Sequence, residues 1–152
     1  MSELRVRDLM TPDVVSVRTE DTVATAYELM LDHRFRHLIV VDGDGDLVGL
    51  LTHRDLLRHS LIERAGLPLS LQRTVMQRIQ VGEVMTSEVE TAEPDQLLQE
   101  AALAMFDNKY GCLPVVEGSR VVGILTEADF VRYFALAGQH PAALEAALGR
   151  VS

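Results

Sequence analysis

The sequence contains few residues that could cross-link the fold or give it a positive charge. Its 152 residues include one cysteine and no tryptophan. A lone cysteine, Cys112, excludes an internal disulfide and agrees with a reducing compartment. Lys and Arg together number 14 against 23 Asp and Glu, which gives a net charge of −9 at pH 7. This balance argues against a nucleic-acid binder, because phosphate contacts require clustered Lys and Arg.

Long apolar runs are also missing. The opening MSELRVRDLM has no apolar core of the kind found in a secretory signal, and no later stretch approaches the roughly 18 uncharged residues that cross a bilayer. We therefore expect a cytoplasmic protein that does not bind membranes. The composition is 47% hydrophobic and 24% charged, which is typical of a soluble globular chain.

One seven-residue phrase occurs twice: GLLTHRD at 49–55 returns as GILTEAD at 123–129. Upstream of it, identical residues such as Met10 and Met85 stand 75 positions apart. A one-residue deletion in a turn then reduces the spacing to 74. Two copies predict two halves packed face to face on a pseudo-twofold axis. The predicted division is a first repeat at 1–60, a linker at 61–79, a second repeat at 80–136 and a helical tail at 137–152.

Each copy predicts the same β-α-β-β-α order, so the fold class is α+β. Alternating and continuous apolar runs indicate the strands, and apolar residues at helical spacing indicate the helices. Asp21 is the expected cap of the first helix. In the first repeat the predicted elements are strand 14–17, helix 22–32, strands 37–41 and 47–51, and a helix after Thr52. In the second they are strand 89–91, helix 96–106, strands 112–116 and 120–125, and a helix after Thr126. A helical turn or two is expected within 69–79, and a tail helix from Pro141 to Gly149.

The Thr-x-x-Asp part of the repeated phrase has two interpretations. It resembles a capping box, in which hydroxyl and carboxylate satisfy free amides at a helix start. Alternatively, a helix start after a strand can receive a phosphate, while the aspartate accepts hydrogen bonds from a ribose diol. The glycine three residues before the threonine leaves room for a close approach to the backbone. Both interpretations can hold in one protein.

Several phrases in a fixed order resemble a tandem pair of CBS (cystathionine beta-synthase) domains, also called a Bateman module. They are VRDLMT and VGEVMT, HLIVVD and CLPVVE, and the two G-x-x-T-x-x-D phrases, and they cover about residues 5–135. The resemblance implies two three-stranded sheets with helices, and dimerisation of two chains into a disc. It also implies a stand-alone regulatory protein that binds AMP, ADP, ATP or S-adenosylmethionine between the repeats and signals to a partner. No cofactor other than this ligand is expected.

The resemblance implies two clefts, each shared between the repeats. Cleft one contains Thr52, Asp55, Val89, Glu90, Tyr110, Gly111 and Pro114. Cleft two contains Thr126, Asp129, Val14, Val15, Phe35, Arg36, His37 and Ile39. Because Arg36, His37 and Arg54 have uncharged counterparts in the other copy, we expect cleft two to bind phosphate more tightly. Ile39 stands where the family usually has a proline that shapes the base slot.

Other candidate sites are weaker. His33 and His37 are four residues apart, but they lie near a helix-to-strand junction, so we expect no metal site there. DGDGD at 42–46 resembles the start of a calcium loop, yet Leu47 occupies the position that requires glycine. A hairpin turn is the better interpretation of this segment. No nucleophile, base and metal set converges, so we expect no catalytic residues. The remaining alternative is a scaffolding dimer without a ligand. In either case, the target would be another protein.

Overall fold

The computed structural model describes residues 3–59 and 68–137. The tail helix expected from Pro141 lies outside the described residues. Within them, the chain forms two repeats of helices and small sheets, and the α+β class is confirmed. The elements in chain order are α1 (Val6–Leu9), β1 (Ser16–Arg18), α2 (Val23–His33), β2 (His37–Val41), β3 (Leu47–Thr52), α3 (His53–Arg58), α4 (Leu69–Gln77), α5 (Val81–Val84), α6 (Leu98–Asn108), β4 (Cys112–Glu117), β5 (Arg120–Thr126) and α7 (Glu127–Ala137).

The first repeat contains a three-stranded sheet in the order β1-β2-β3. β1 pairs in parallel with β2, placing Val17 opposite Val40, and β2 pairs antiparallel with β3, placing His37 opposite Thr52. The α2 helix is capped by the side chain of Thr22, which accepts from the Thr25 amide, and not by Asp21 as expected.

In the described part of the second repeat, the sheet contains two full strands, β4 and β5. The expected first strand is reduced to one parallel bridge, Ala92 to Val115, with Ala92 N donating to Pro114 O and Val116 N donating to Ala92 O. The next amides that a parallel ladder would use belong to Pro94 and Pro114. Proline has no N–H, so pairing cannot extend on either side of the bridge.

Two short helices, α1 and α5, were not predicted, and each packs on the opposite repeat. Val6 and Leu9 of α1 are buried in the core of the second repeat, and Val81 and Val84 of α5 are buried in the core of the first. Burial of each such side chain stabilises the fold by about 1.5–3 kcal/mol. This exchange of helices holds the two repeats together.

A Met-Thr pair follows each exchanged helix and adds a backbone bridge to the opposite repeat. Thr11 N donates to Ile124 O at 2.9 Å, and Ile124 N donates back to Thr11 O at 3.0 Å. Leu50 and Thr86 exchange the same two bonds, both at 2.9 Å. The pseudo-twofold arrangement predicted from the duplication is therefore built by reciprocal contacts of the two Met-Thr segments.

The predicted helical segment before the second repeat is α4, which packs against the first repeat. Met76 is part of the first core, and Arg73 forms an ion pair with Glu28 of α2. Among the helices of residues 3–59 and 68–137, none combines the length and the apolar character needed to cross a membrane.

Candidate functional site

The repeated phrase forms a capping box at the start of α3. Thr52 Oγ1 accepts a hydrogen bond from Asp55 N at 3.0 Å, and Asp55 Oδ2 accepts from Thr52 N at 2.9 Å. In the second repeat, Thr126 N donates to Asp129 Oδ2 at 2.8 Å. The two aspartates are almost fully buried, with 4% and 3% of their surfaces exposed. The capping interpretation is therefore confirmed at α3, while at α7 the carboxylate accepts from both the amide and the hydroxyl of Thr126. Each carboxylate keeps its second oxygen for another partner.

That second partner is a threonine of the opposite repeat. Thr86 Oγ1 donates to Asp55 Oδ1 at 3.3 Å, and Thr11 Oγ1 donates to Asp129 Oδ1 at 2.8 Å. Sequence reasoning missed these roles, although the duplicated Met-Thr pair was a visible signal. Each buried carboxylate consequently ties the start of one helix to the other repeat.

The glycine of the phrase is explained by protein packing. A Cβ added to Gly49 would lie 2.6 Å from Met85 Sδ and 2.9 Å from Thr86 O. A Cβ on Gly123 would lie 2.8 Å from Met10 Sδ and 3.0 Å from the Thr11 carbonyl oxygen. The close approach that the sequence indicated is thus made by the Met-Thr segments of the opposite repeat.

A cavity of about 810 Å³ opens between the repeats beside Asp55. We call it the Asp55 cavity. Its size is within the range of small-molecule sites, roughly 300–1,000 Å³. Six of the seven residues predicted for cleft one line it: Thr52, Asp55, Val89, Glu90, Tyr110 and Gly111. The seventh, Pro114, is fully buried within β4 and is not among the lining residues.

The basic residues assigned to cleft two line the Asp55 cavity instead. Arg54 directly precedes Asp55 in α3, and β2 pairs with β3 so that Arg36 and His37 lie beside Thr52. The backbone confirms this proximity, because His53 N donates to Arg36 O at 2.9 Å. The expectation that these charges serve cleft two alone does not match the structure, since strand pairing within the first repeat places them at the other cavity.

Charges of both signs surround the cavity. Its cations are Arg36, Arg54, Arg58 and Lys109, and its carboxylates are Asp55, Glu88, Glu90 and Glu127. The lining is therefore neutral when its histidines are uncharged, in a protein whose net charge is −9. Sequence reasoning did not place Arg58, Lys109, Glu88 or Glu127 here, because their positions depend on how the two repeats meet.

His37 lines the Asp55 cavity at a point where the two repeats contact each other. A Cβ on Gly111 would lie 2.8 Å from His37 Nε2, so the imidazole packs directly against the backbone of the second repeat. Burial lowers the pKa of His37 below its ordinary value of 6.5, Glu127 and Asp55 oppose the shift, and Arg36 adds to it. Burial likewise raises the pKa of the Cys112 thiol to about 12, so this cysteine is a poor nucleophile.

Of the residues predicted for cleft two, only Arg36 and His37 line the Asp55 cavity. Ile39 is fully buried inside the first sheet, and Val15 packs against the first core. Phe35 is half-exposed and stacks on His33, with ring centroids 5.2 Å apart. The other six residues predicted for cleft two do not line the Asp55 cavity; they are Val14, Val15, Phe35, Ile39, Thr126 and Asp129.

A second hollow, of about 690 Å³, lies at the turn between β2 and β3. Glu20, Asp21, Asp42 and Asp44 line it together with a single cation, Arg18, which disfavours phosphate. The turn is the hairpin predicted for DGDGD. Within the described ranges 3–59 and 68–137, no three His, Cys, Asp or Glu side chains are grouped so that they could hold a metal ion.

Comparison with known proteins agrees with this architecture. The CBS domain model matches the chain twice, at residues 6–62 and 81–136. The chain belongs to the CBS domain family. The inosine-5'-monophosphate dehydrogenase of Mycobacterium tuberculosis is 35% identical over 144 residues, covering 93% of this chain and 24% of that protein. Protein MJ1404 of Methanocaldococcus jannaschii is 27% identical over 150 residues, covering 89% of this chain and 33% of that protein. The chain thus spans a third or less of these two relatives.

Solved CBS-pair structures superpose over most of the chain. CBSX2 from Arabidopsis thaliana has a TM-score of 0.78 at 27% identity, covering 91% of this chain and 99% of that one. A structure of CBSX2 in complex with AMP gives 0.73 at 29% identity, covering 90% and 98%. The CBS domain pair of protein MJ0100, in complex with 5'-methylthioadenosine and S-adenosyl-L-methionine, gives 0.72 at 26% identity, covering 88% and 98%.

Proposed function

We propose that this protein is a regulatory CBS pair that binds an adenosyl ligand in the Asp55 cavity. The observation that carries the proposal is the convergence of a buried carboxylate, three arginines and a tyrosine on one cavity between the repeats. The AMP complex of CBSX2 and the S-adenosyl-L-methionine complex of MJ0100 support the ligand class. The proposal includes no catalytic role for the chain.

The lining groups suit the three parts of an adenine nucleotide. The Asp55 carboxylate can accept hydrogen bonds from both ribose hydroxyls, while Arg36, Arg54 and Arg58 can donate to phosphate. Val89 and the exposed ring of Tyr110 offer apolar surface to the base. Residues of both repeats would contact one ligand, so its binding would change the contacts between them.

The acidic side chains of the cavity favour a ligand of low charge. At about 4 Å and an effective dielectric of 20, one charge pair is worth on the order of 4 kcal/mol before desolvation. Glu88, Glu90 and Glu127 would therefore offset part of the attraction of the arginines for phosphate. We expect AMP, or the positively charged S-adenosylmethionine, to bind more tightly than ATP.

A thermal-shift titration with these three ligands tests the proposal. A ligand at 100 times its Kd stabilises the fold by about 2.7 kcal/mol, which corresponds to a rise in Tm of about 5–10 °C. The Asp55→Asn variant should lose this response, whereas Asp44→Asn, which removes an exposed carboxylate at the second hollow, should keep it. If no adenosyl ligand raises the Tm of the wild type, the alternative of a scaffolding module without a ligand is favoured.

We propose a homodimer as the form that communicates with a partner protein in the cytoplasm. Exposed apolar residues occupy equivalent positions of the two repeats: Leu31 with Phe106, and Leu57 with Val131. Phe106 has 81% of its surface exposed, and contact with a second chain would remove this apolar surface from water. Light scattering should give a dimer for the wild type and a monomer for Phe106→Glu. A monomeric wild type would overturn this part of the proposal.

A further inference from the structure

The two buried aspartates occupy equivalent positions, yet their surroundings differ. Asp129 Oδ1 accepts from Thr11 Oγ1 at 2.8 Å and from Arg132 Nη2 at 3.1 Å. Its other oxygen, Oδ2, accepts from Thr126 N at 2.8 Å and from Thr126 Oγ1 at 3.3 Å. Four donors therefore hold this carboxylate, and all of them belong to the protein. We call Asp129, Thr126, Arg132 and Thr11 the Asp129 junction.

Among the described residues 3–59 and 68–137, Asp55 has fewer hydrogen-bond partners than Asp129. Its Oδ2 accepts from Thr52 N at 2.9 Å, and its Oδ1 accepts from Thr86 Oγ1 at the longer distance of 3.3 Å. Over residues 3–59 and 68–137, the carboxylate forms no ion pair with Arg58, the counterpart of Arg132. A carboxylate has about four acceptor positions, and the residues that the structure describes occupy two of those of Asp55, which leaves two for further donors. A ribose diol supplies two.

The arginine and the threonine near each aspartate show the same difference between the repeats in their hydrogen bonds. Arg132 donates to Asp129, whereas Arg58 lines the Asp55 cavity. The Thr126 hydroxyl donates to Asp129, whereas the Thr52 hydroxyl accepts from Asp55 N and, among the residues that the structure describes, donates to none. Identical residue types thus bind the protein in the second repeat and face the cavity in the first.

We infer that the Asp129 junction is structural and fastens the repeats together, and that the chain has one adenosyl site, built on Asp55. The ligand part of this inference rests on the proposed function. In this site the ribose and Thr86 compete for the same carboxylate oxygen, because a ribose hydroxyl that donates to Asp55 Oδ1 displaces the hydroxyl of Thr86. Ligand binding therefore releases one weak hydrogen bond between the repeats while the Asp129 junction stays closed.

Two matched arginine variants test the division of roles. Arg132→Gln should lower the Tm by about 2–4 °C and leave AMP affinity within twofold, because it removes one donor from a buried carboxylate. Arg58→Gln should leave the Tm of the free protein within 1 °C and weaken AMP binding about tenfold or more, because it removes a donor that faces the cavity. Calorimetry on the wild type should give one AMP per chain.

The threonine pair provides a second, milder comparison. Thr11→Val should lower the Tm of the free protein more than Thr86→Val, because the Thr11 hydrogen bond is the shorter one. Thr86→Val should bind AMP about threefold more tightly, since the ligand no longer competes for Asp55.

Three outcomes would overturn the inference: two AMP per chain, equal losses of Tm in Arg58→Gln and Arg132→Gln, or AMP binding lost in Arg132→Gln. If the wild type binds neither AMP nor S-adenosylmethionine, the proposed function and the single-site part fail together. The Tm comparison of Thr11→Val with Thr86→Val then decides the structural part on its own, and equal losses would refute it.

Discussion

Replacing Gly49 by alanine tests the account of how the two repeats are joined. The added Cβ would lie 2.9 Å from Thr86 O, an oxygen that accepts a 2.9 Å hydrogen bond from Leu50 N. Met85 Sδ, at 2.6 Å, belongs to a flexible side chain that can turn away, but the carbonyl cannot move without stretching the bridge between the repeats. The contact of the added Cβ with the Thr86 carbonyl oxygen therefore determines how much stability the variant loses.

The magnitude follows from two contributions. Overpacking of a close-packed site costs about 1–3 kcal/mol, and each weakened backbone hydrogen bond costs about 0.5–1.5 kcal/mol. We expect Gly49→Ala to lower the free energy of unfolding by about 2–4 kcal/mol. Gly123→Ala, whose Cβ would meet Thr11 O at 3.0 Å, should behave alike.

Urea denaturation of purified protein measures this change directly. Gly43→Ala is the matched control, because a Cβ there would meet nothing within 4 Å. Alanine at an unstrained glycine position leaves stability unchanged or raises it by up to about 1 kcal/mol. If Gly49→Ala proved as stable as Gly43→Ala, the proposed close contact between β3 and the Met-Thr segment would be refuted.

Two further predictions follow from the pKa shifts. Because burial lowers the pKa of His37 from 6.5, the unfolded chain binds the proton more readily than the folded one. Stability should therefore fall as pH drops below about 6.5, and His37→Asn should show a shallower pH dependence of the unfolding free energy; equal slopes would contradict this. The Cys112 thiol, whose pKa is raised to about 12, should react slowly with a thiol reagent at pH 8 in folded protein and rapidly in urea. Fast labelling without denaturant would contradict its burial.

The strands were predictable where the apolar signal was continuous. The run at 37–41 coincides with β2, and the turn signals that follow gave the hairpin into β3. The first strand of the second repeat was predicted at 89–91, but the bridge to β4 is formed by the next residue, Ala92. The pairing stops because Pro94 and Pro114 stand where the ladder would need amide donors. Their place in the ladder depends on the register between two segments, which cannot be read from the sequence of one segment.

The exchanged helices could not be predicted from periodicity. α1 and α5 contain four residues each, which is too short for an apolar stripe to repeat. Their sequences, VRDL and VGEV, belong to the phrases VRDLMT and VGEVMT that carry the resemblance to CBS domains. Which repeat they pack on depends on tertiary contacts of Val6 and Val81, and a sequence pattern carries no information about that choice.

For the candidate site, the resemblance to CBS pairs placed the group around Asp55 together, and the structure gathers six of its seven residues at one cavity. Arg36 was assigned to cleft two, because the resemblance implies that the threonine and aspartate of one repeat share a cleft with residues of the other. The pairing of β2 with β3 brings Arg36 to Thr52 of its own repeat. Strand pairing within the first repeat therefore places Arg36 beside Asp55, at the cavity predicted as cleft one.

The most direct test of the central claim is an NMR titration of the isotopically labelled protein with AMP. The account predicts that the largest amide shifts occur at Thr52, Asp55, Val89 and Gly111, which line one cavity from both repeats. Amides at the acidic turn 42–46 should not respond. Saturable shifts confined to that turn, or no shifts at millimolar AMP, would contradict the claim that the Asp55 cavity is an adenosyl site.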